Sequence, residues 1–174
     1  GGLTSFHFEF TELAHRDEAT THPPEVKSKW FLANSTHVAD LAFYLGGVPA
    51  RVASAVSGTL SWHPPGSFFA GHGETEAKVP FSYHADWNAP GRWAVEFCTR
   101  LSRLILKPLE ELKIQRRGTV NIEDIILDNK LDKEFKPGLY RQMEDFLSSN
   151  PKVVPTLGHQ IRMMKFYNQI GGYG

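Results

Sequence analysis

The chain has 174 residues and a mass of 19.6 kDa, the size of one domain and too short for two well-buried cores. Apolar residues at 41% exclude a disordered chain, and nineteen basic residues against nineteen acidic ones exclude the charge footprint of a nucleic-acid binder. A lone cysteine, Cys98, rules out an internal disulfide or a CxxC site, and no apolar run approaches the roughly 18 residues of a membrane span. The expectation is a cytoplasmic protein that binds neither nucleic acid nor membrane.

The sequence opens Gly1-Gly2-Leu3 without a methionine or a signal-peptide pattern, so a longer functional protein is expected. Phe6, Phe8 and Phe10 then alternate with Ser5, His7, Glu9 and Thr11, a period of two that puts three rings on one strand face. A helix is predicted over residues 35–45, with Val38, Leu41, Ala42 and Leu45 on one stripe and Gly46-Gly47 as its stop. Residues 51–60 read as a second strand. Residues 61–73, rich in Pro, Gly, Trp and Phe, read as a loop. A strand over 79–87 closes on the turn cluster Asn88-Ala89-Pro90-Gly91. Trp93, Val95 and Phe97 alternate with Ala94, Glu96 and Cys98, a hairpin returns through 103–107, and 112–116 adds a further strand. Two helices follow. One starts at Pro137 with Leu139, Met143, Phe146 and Leu147 as its apolar face; the other follows Pro155 with Leu157, Ile161 and Met164 inward and ends at Gly171-Gly172.

Charge is uneven along this series. Residues 92–117 hold seven basic residues against three acidic ones, on alternating strand sequence, which predicts a solvated edge or hairpin. Many strands with one early helix and two late ones predict an α+β domain over residues 1–174. Its core is a large, mostly antiparallel open sheet with helices packed on one face. The other face must be polar or paired, and a homo-oligomer is expected.

The stretch Trp30-Phe31-Leu32-Ala33-Asn34-Ser35-Thr36-His37-Val38-Ala39-Asp40-Leu41, ending in Gly46-Gly47, resembles the catalytic-helix region of the Gfo/Idh/MocA oxidoreductases. Trp93 to Phe97 with the return Arg103 to Pro108, and Phe135-Lys136-Pro137-Gly138, add to the resemblance. It implies the C-terminal half of such an enzyme. The N-terminal Rossmann domain, which would bind NAD or NADP, is absent: no Gly-x-Gly-x-x-Gly follows a strand, and the family's Glu-Lys-Pro motif has no counterpart. The motif also departs from the family's Asp-x-Gly-x-His, because Ala33 stands at the aspartate and Ser35 at the glycine.

The resemblance makes His37 the candidate acid/base residue. A cap at Asn34 or Ser35 would place it in the first helical turn, near the positive end of the helix dipole. Asp40, three residues on, shares its helix face and is a candidate to orient the ring or bind substrate. Asn34, His84, Asp86 and Trp87 are the further candidates for substrate contact, and Trp62, Phe68 and Phe69 could stack on a sugar or simply fill the core. Two rival readings stand beside an oxidoreductase of sugars, cyclitols or related hydroxy compounds. One is a non-catalytic oligomerisation module. The other is an oxygenase whose metal is held by His84-x-Asp86 and a distant His159; no metal is expected under the leading reading.

Overall fold

The computed structural model describes residues 2–148 and 154–174. The chain divides into two compact units, Gly1–Ile125 with Phe166–Gly174, and Ile126–Lys165. Among the described residues, the first unit is an eight-stranded sheet in the order β2-β3-β4-β1-β5-β6-β7-β8. The strands are β1 (Leu3–Glu9), β2 (Pro49–Ser57), β3 (Phe68–Thr75), β4 (Pro80–Asp86), β5 (Ala94–Thr99), β6 (Ser102–Leu106), β7 (Leu112–Arg116) and β8 (Ile122–Ile125). β1 runs parallel to β4, with Phe6 beside Phe81, and antiparallel to β5, with Phe6 beside Phe97; the other neighbours are antiparallel. The architecture is α+β and mostly antiparallel.

The period of two decides which face is buried. Phe6 and Phe8 of β1, Phe81, Tyr83 and Ala85 of β4, and Val95 and Phe97 of β5 turn to one side and are buried. The helix α3 (Thr36–Gly46) lies on that side and drives Phe43 into the rings of Phe6, Phe8 and Phe81, at centroid distances of 5.1 to 6.0 Å. The predicted Gly-Gly stop holds: α3 ends where Gly47 takes a φ of 109°. The opposite face carries Ser5, His7, Glu9, Ser82, His84, Glu96 and Arg103 at neighbouring register positions. The basic stretch is paired there, Arg103 with Glu96 and Lys107 with Glu9 at 2.9 Å.

Three sequence expectations are corrected. Residues 61–73 are not all loop, since β3 begins at Phe68. Glycines 71 and 73 lower strand propensity, yet their missing side chains make the room that Tyr83 and Phe81 occupy. A Cβ on Gly71 would lie 2.3 Å from the Tyr83 hydroxyl, and one on Gly73 2.5 Å from the Phe81 ring. The short α1 (Ala14–Glu18) and α2 (Pro24–Lys27), α4 (Lys130–Glu134) and strand β8 carry too little periodicity to be read beforehand. The last helix, α6 (Leu157–Gly171), buries Phe166, Tyr167 and Ile170, whereas the expected inward residues Leu157, Ile161 and Met164 are 77%, 65% and 39% exposed. Two apolar stripes run along this helix, and the sequence reading chose the wrong one.

The second unit holds α4, α5 (Leu139–Phe146) and the start of α6. Gly138 caps α5 in the left-handed region at φ 75°, and its N–H donates to Asp132 at 2.8 Å. Phe135 stacks on Tyr140 with centroids 4.9 Å apart. Leu139, Met143, Phe146 and Leu147 form the predicted stripe, and all four are exposed.

Candidate active site

The residues that resemble a catalytic helix do not begin a helix. The backbone is already helical at Trp30, passes through a π-helical turn over Phe31–Ser35, and continues into α3. Within that turn the Thr36 N–H reaches back to the carbonyl of Phe31, five residues before it. His37 therefore stands inside a continuous helical run, and neither Asn34 nor Ser35 caps its turn. The first-turn dipole argument fails for this reason. The His37 side chain is exposed, with its ring 6.2 Å from that of Trp93, over which the Arg92 guanidinium lies at 4.8 Å.

What the π turn does is present Asn34 and Ser35 to a buried carboxyl. Ser35 Oγ donates to Glu12 Oε1 at 2.5 Å, and Asn34 Nδ2 donates to the same oxygen at 3.1 Å. Glu12 is only 4% exposed, and burial pushes its carboxyl up to about 7 against the pull of these donors. The Trp93 indole N–H lies close enough to favour the charged form without making a hydrogen bond of good geometry. Glu12 also lines a cleft of about 520 Å³, with His15, Glu18, Trp62, Trp87 and Asn88 around it. Trp93, near both His37 and Glu12, is not among the residues that line this cleft, and neither is His37.

The other candidates fall in different places. Asp40 accepts a short hydrogen bond from the Tyr167 hydroxyl of α6, and burial together with this carboxylate pushes the phenol up. Trp87 is buried, donates its indole N–H to the Phe10 carbonyl at 3.1 Å and stacks on Trp62 at 5.9 Å. Phe69 is core, while Phe68 meets His84 on the open face of the sheet. His84 and Asp86 share that open face, so the sheet lies between them and α3. The Asp86 carboxylate accepts the Asn88 N–H at 2.9 Å and shapes the turn after β4. His159 lies on α6 in the second unit. Among the described residues, no group of three or more His, Cys, Asp or Glu side chains comes together to hold a metal ion.

Glu12 is the residue the sequence reading missed, although a signal existed. It continues the phase of Phe6, Phe8 and Phe10, and a carboxylate in an apolar phase has to be buried or the strand has to end. A neighbouring histidine is structural. His63 Nδ1 lies 2.7 Å from the Gly66 carbonyl, and Nε2 lies 2.7 Å from the Tyr173 hydroxyl, which in turn accepts the Phe31 N–H at 3.1 Å. Since Gly66 offers only a carbonyl, the ring donates from Nδ1 and accepts at Nε2. Burial lowers its proton affinity accordingly.

The described residues lack the parts of a dinucleotide cradle where the first strand meets a helix. β1 leads to α1 through Phe10-Thr11-Glu12-Leu13, with no glycine to let a pyrophosphate approach, and α1 is five residues long. The described residues do not fit a nicotinamide dinucleotide. No helix among them is long and apolar enough to cross a membrane.

No family model and no curated protein matches the chain. Solved structures do. UDP-N-acetylglucosamine 3-dehydrogenase GnnA from Acidithiobacillus ferrooxidans is 14% identical with a TM-score of 0.69, over 99% of this chain and 54% of its own. A dehydrogenase (MviM) from Clostridium difficile is 13% identical with a TM-score of 0.70, over 98% of this chain and 54% of its own. Levoglucosan dehydrogenase, in complex with NADH and levoglucosan, is 14% identical with a TM-score of 0.51, over 73% and 40% of the two chains. The chain spans about half the length of the first two. All three are dehydrogenases, and this chain shares the fold of the part of each that it covers.

Proposed function

We propose that the chain is the substrate-side, C-terminal domain of an NAD(P)-dependent oxidoreductase of the Gfo/Idh/MocA family, acting on a sugar, cyclitol or related hydroxy compound. The observation that carries this reading is the match of 99% of the chain to 54% of a sugar-nucleotide dehydrogenase. The dinucleotide is then held by an N-terminal domain outside these residues. His37 is the acid/base group at the reacting oxygen: it is exposed and fixed on a helix, with its ring 6.2 Å from that of Trp93. The same reading makes the enzyme a cytoplasmic homo-oligomer.

The test uses the protein with its upstream region. Turnover of hydroxy compounds is followed by nicotinamide absorbance. His37→Ala is expected to lower kcat by roughly 10²-fold, as for loss of a positioned acid/base group, with cofactor affinity unchanged. A variant with kcat within a few-fold and a lowered Tm makes His37 structural. Absence of any dinucleotide-dependent turnover across sugars and cyclitols overturns the reading, as does submillimolar binding of NAD or NADP by the present chain alone.

A further inference from the structure

The helix α5 and its C-cap carry their apolar residues on one side, and that side is left exposed. Leu139, Tyr140, Met143, Phe146 and Leu147 fall within an arc of about 120° on the helical wheel. Phe135, stacked on Tyr140 at 4.9 Å, extends the stripe. These six residues are between 43% and 74% exposed, and five of them line a groove of about 480 Å³. The chain continues from the polar side of the helix, where Asp145 accepts the Val154 N–H at 2.8 Å. A helix of eight residues does not hold itself in water, and its stability comes from packing of its apolar face. Here that face needs a partner.

The exposed part of the six residues comes to on the order of 600 Å² of apolar surface, the top of the range for the largest patch on a monomer. One side of a standard protein–protein interface buries about 800 Å², somewhat more than half of it apolar, so the stripe is large enough to be one such side. The spacing names the partner. About Met143 the apolar positions fall at −4, −3, 0, +3 and +4, the same read in either direction. A two-fold axis through Met143 therefore sets Leu139 level with Leu147 of a second copy, and Tyr140 level with Phe146, in an antiparallel helix pair. Glu144, beside the stripe, is held by Arg141 of its own helix at 2.6 Å, so two copies bring together compensated charges. We propose that α5 pairs antiparallel with α5 of a second copy of this chain, about a two-fold axis at Met143. This interface is separate from the open face of the sheet, and it does not rest on the reading of the chain as a dehydrogenase domain.

The experiment uses the protein as its gene encodes it, including whatever precedes Gly1. With Cys98→Ser as background, Met143→Cys puts a thiol on the axis and Arg141→Cys puts one on the opposite side of the helix. Mild oxidation is expected to join most of the first variant into a covalent dimer and about tenfold less of the second. Met143→Glu is expected to halve the mean mass in light scattering at about 100 μM, from tetramer to dimer if the sheet face also pairs. Its Tm should stay within about 3 °C of the parent, because the position is 45% exposed. Should that variant lose its fold, Leu147→Glu, at 74% exposure, is read in its place. A crosslink at Met143 with the fall in mass supports the pairing. Equal crosslinking of the two cysteine variants overturns it. So does the absence of a crosslink at Met143, or an unchanged mass in the variant that folds, which is the outcome if another segment of the protein covers the stripe.

Discussion

Glu12 continues the alternation of Phe6, Phe8 and Phe10 past the end of β1, and its cost is set by what surrounds it. In the unfolded chain its carboxyl titrates near 4.5, and in the folded chain burial moves it to about 7. Between these values the native state binds more protons than the unfolded one, so stability falls as pH rises through this window and levels off above it. The shift caps the effect at about 3 kcal/mol. Glu12→Gln should therefore melt higher than the parent at about pH 8, match it near pH 4.5, and show a flatter profile between. A profile with the same slope in both proteins would mean that Glu12 is charged in the fold. Ser35 and Asn34 hold the opposite side of this balance, since their donors favour the carboxylate.

At the scale of elements, side chains absent from β3 matter as much as those present on β4. Gly73→Ala would put a Cβ 2.2 Å from the Arg51 carbonyl and 2.5 Å from the Phe81 ring, neither of which can yield without moving β2 or the core. The expected loss is about 1–3 kcal/mol, read from denaturant melts at unchanged m-value. A loss below about 0.5 kcal/mol would show that the sheet can spread at this edge.

The same strand explains what sequence alone could and could not supply. Alternation located β1, β2, β4, β5, β6 and β7, because each has one apolar phase to bury. β3 hid because two of its inward positions, 71 and 73, are glycine, which breaks the pattern that Phe69 begins. α3 was legible from its stripe and its Gly-Gly stop, but the π turn before it was not, since Phe31–Ser35 is stabilised by Glu12, nineteen or more residues earlier in the chain. Asn34 and Ser35 belong to the stretch that carries the resemblance, but their partner Glu12 needed the fold.

For the whole molecule, the question is what covers the open side of the sheet. That side is a lattice of Ser5, His7, Glu9, Ser82, His84, Glu96 and Arg103, polar enough for water and flat enough for another subunit. Burial lowers the proton affinity of His7, whose Nδ1 lies 3.0 Å from the Ser82 hydroxyl. Association across this face should appear in light scattering at high concentration. A strict monomer at all concentrations would count against both the oligomer and the family reading.

The parallel seam between β1 and β4 has a consequence for how the chain is made. Of the strands of this sheet β1 is made first, yet its partners are residues 80–86 and 94–99. Until the second of these has emerged, Phe6, Phe8 and Phe10 have nowhere to go. The nucleus must close a long loop before it gains any pairing, which favours slow folding and exposes an aromatic strand in the meantime. A nascent chain stalled before residue 99 would carry that strand with one flank bare, the state from which edge-to-edge aggregation starts.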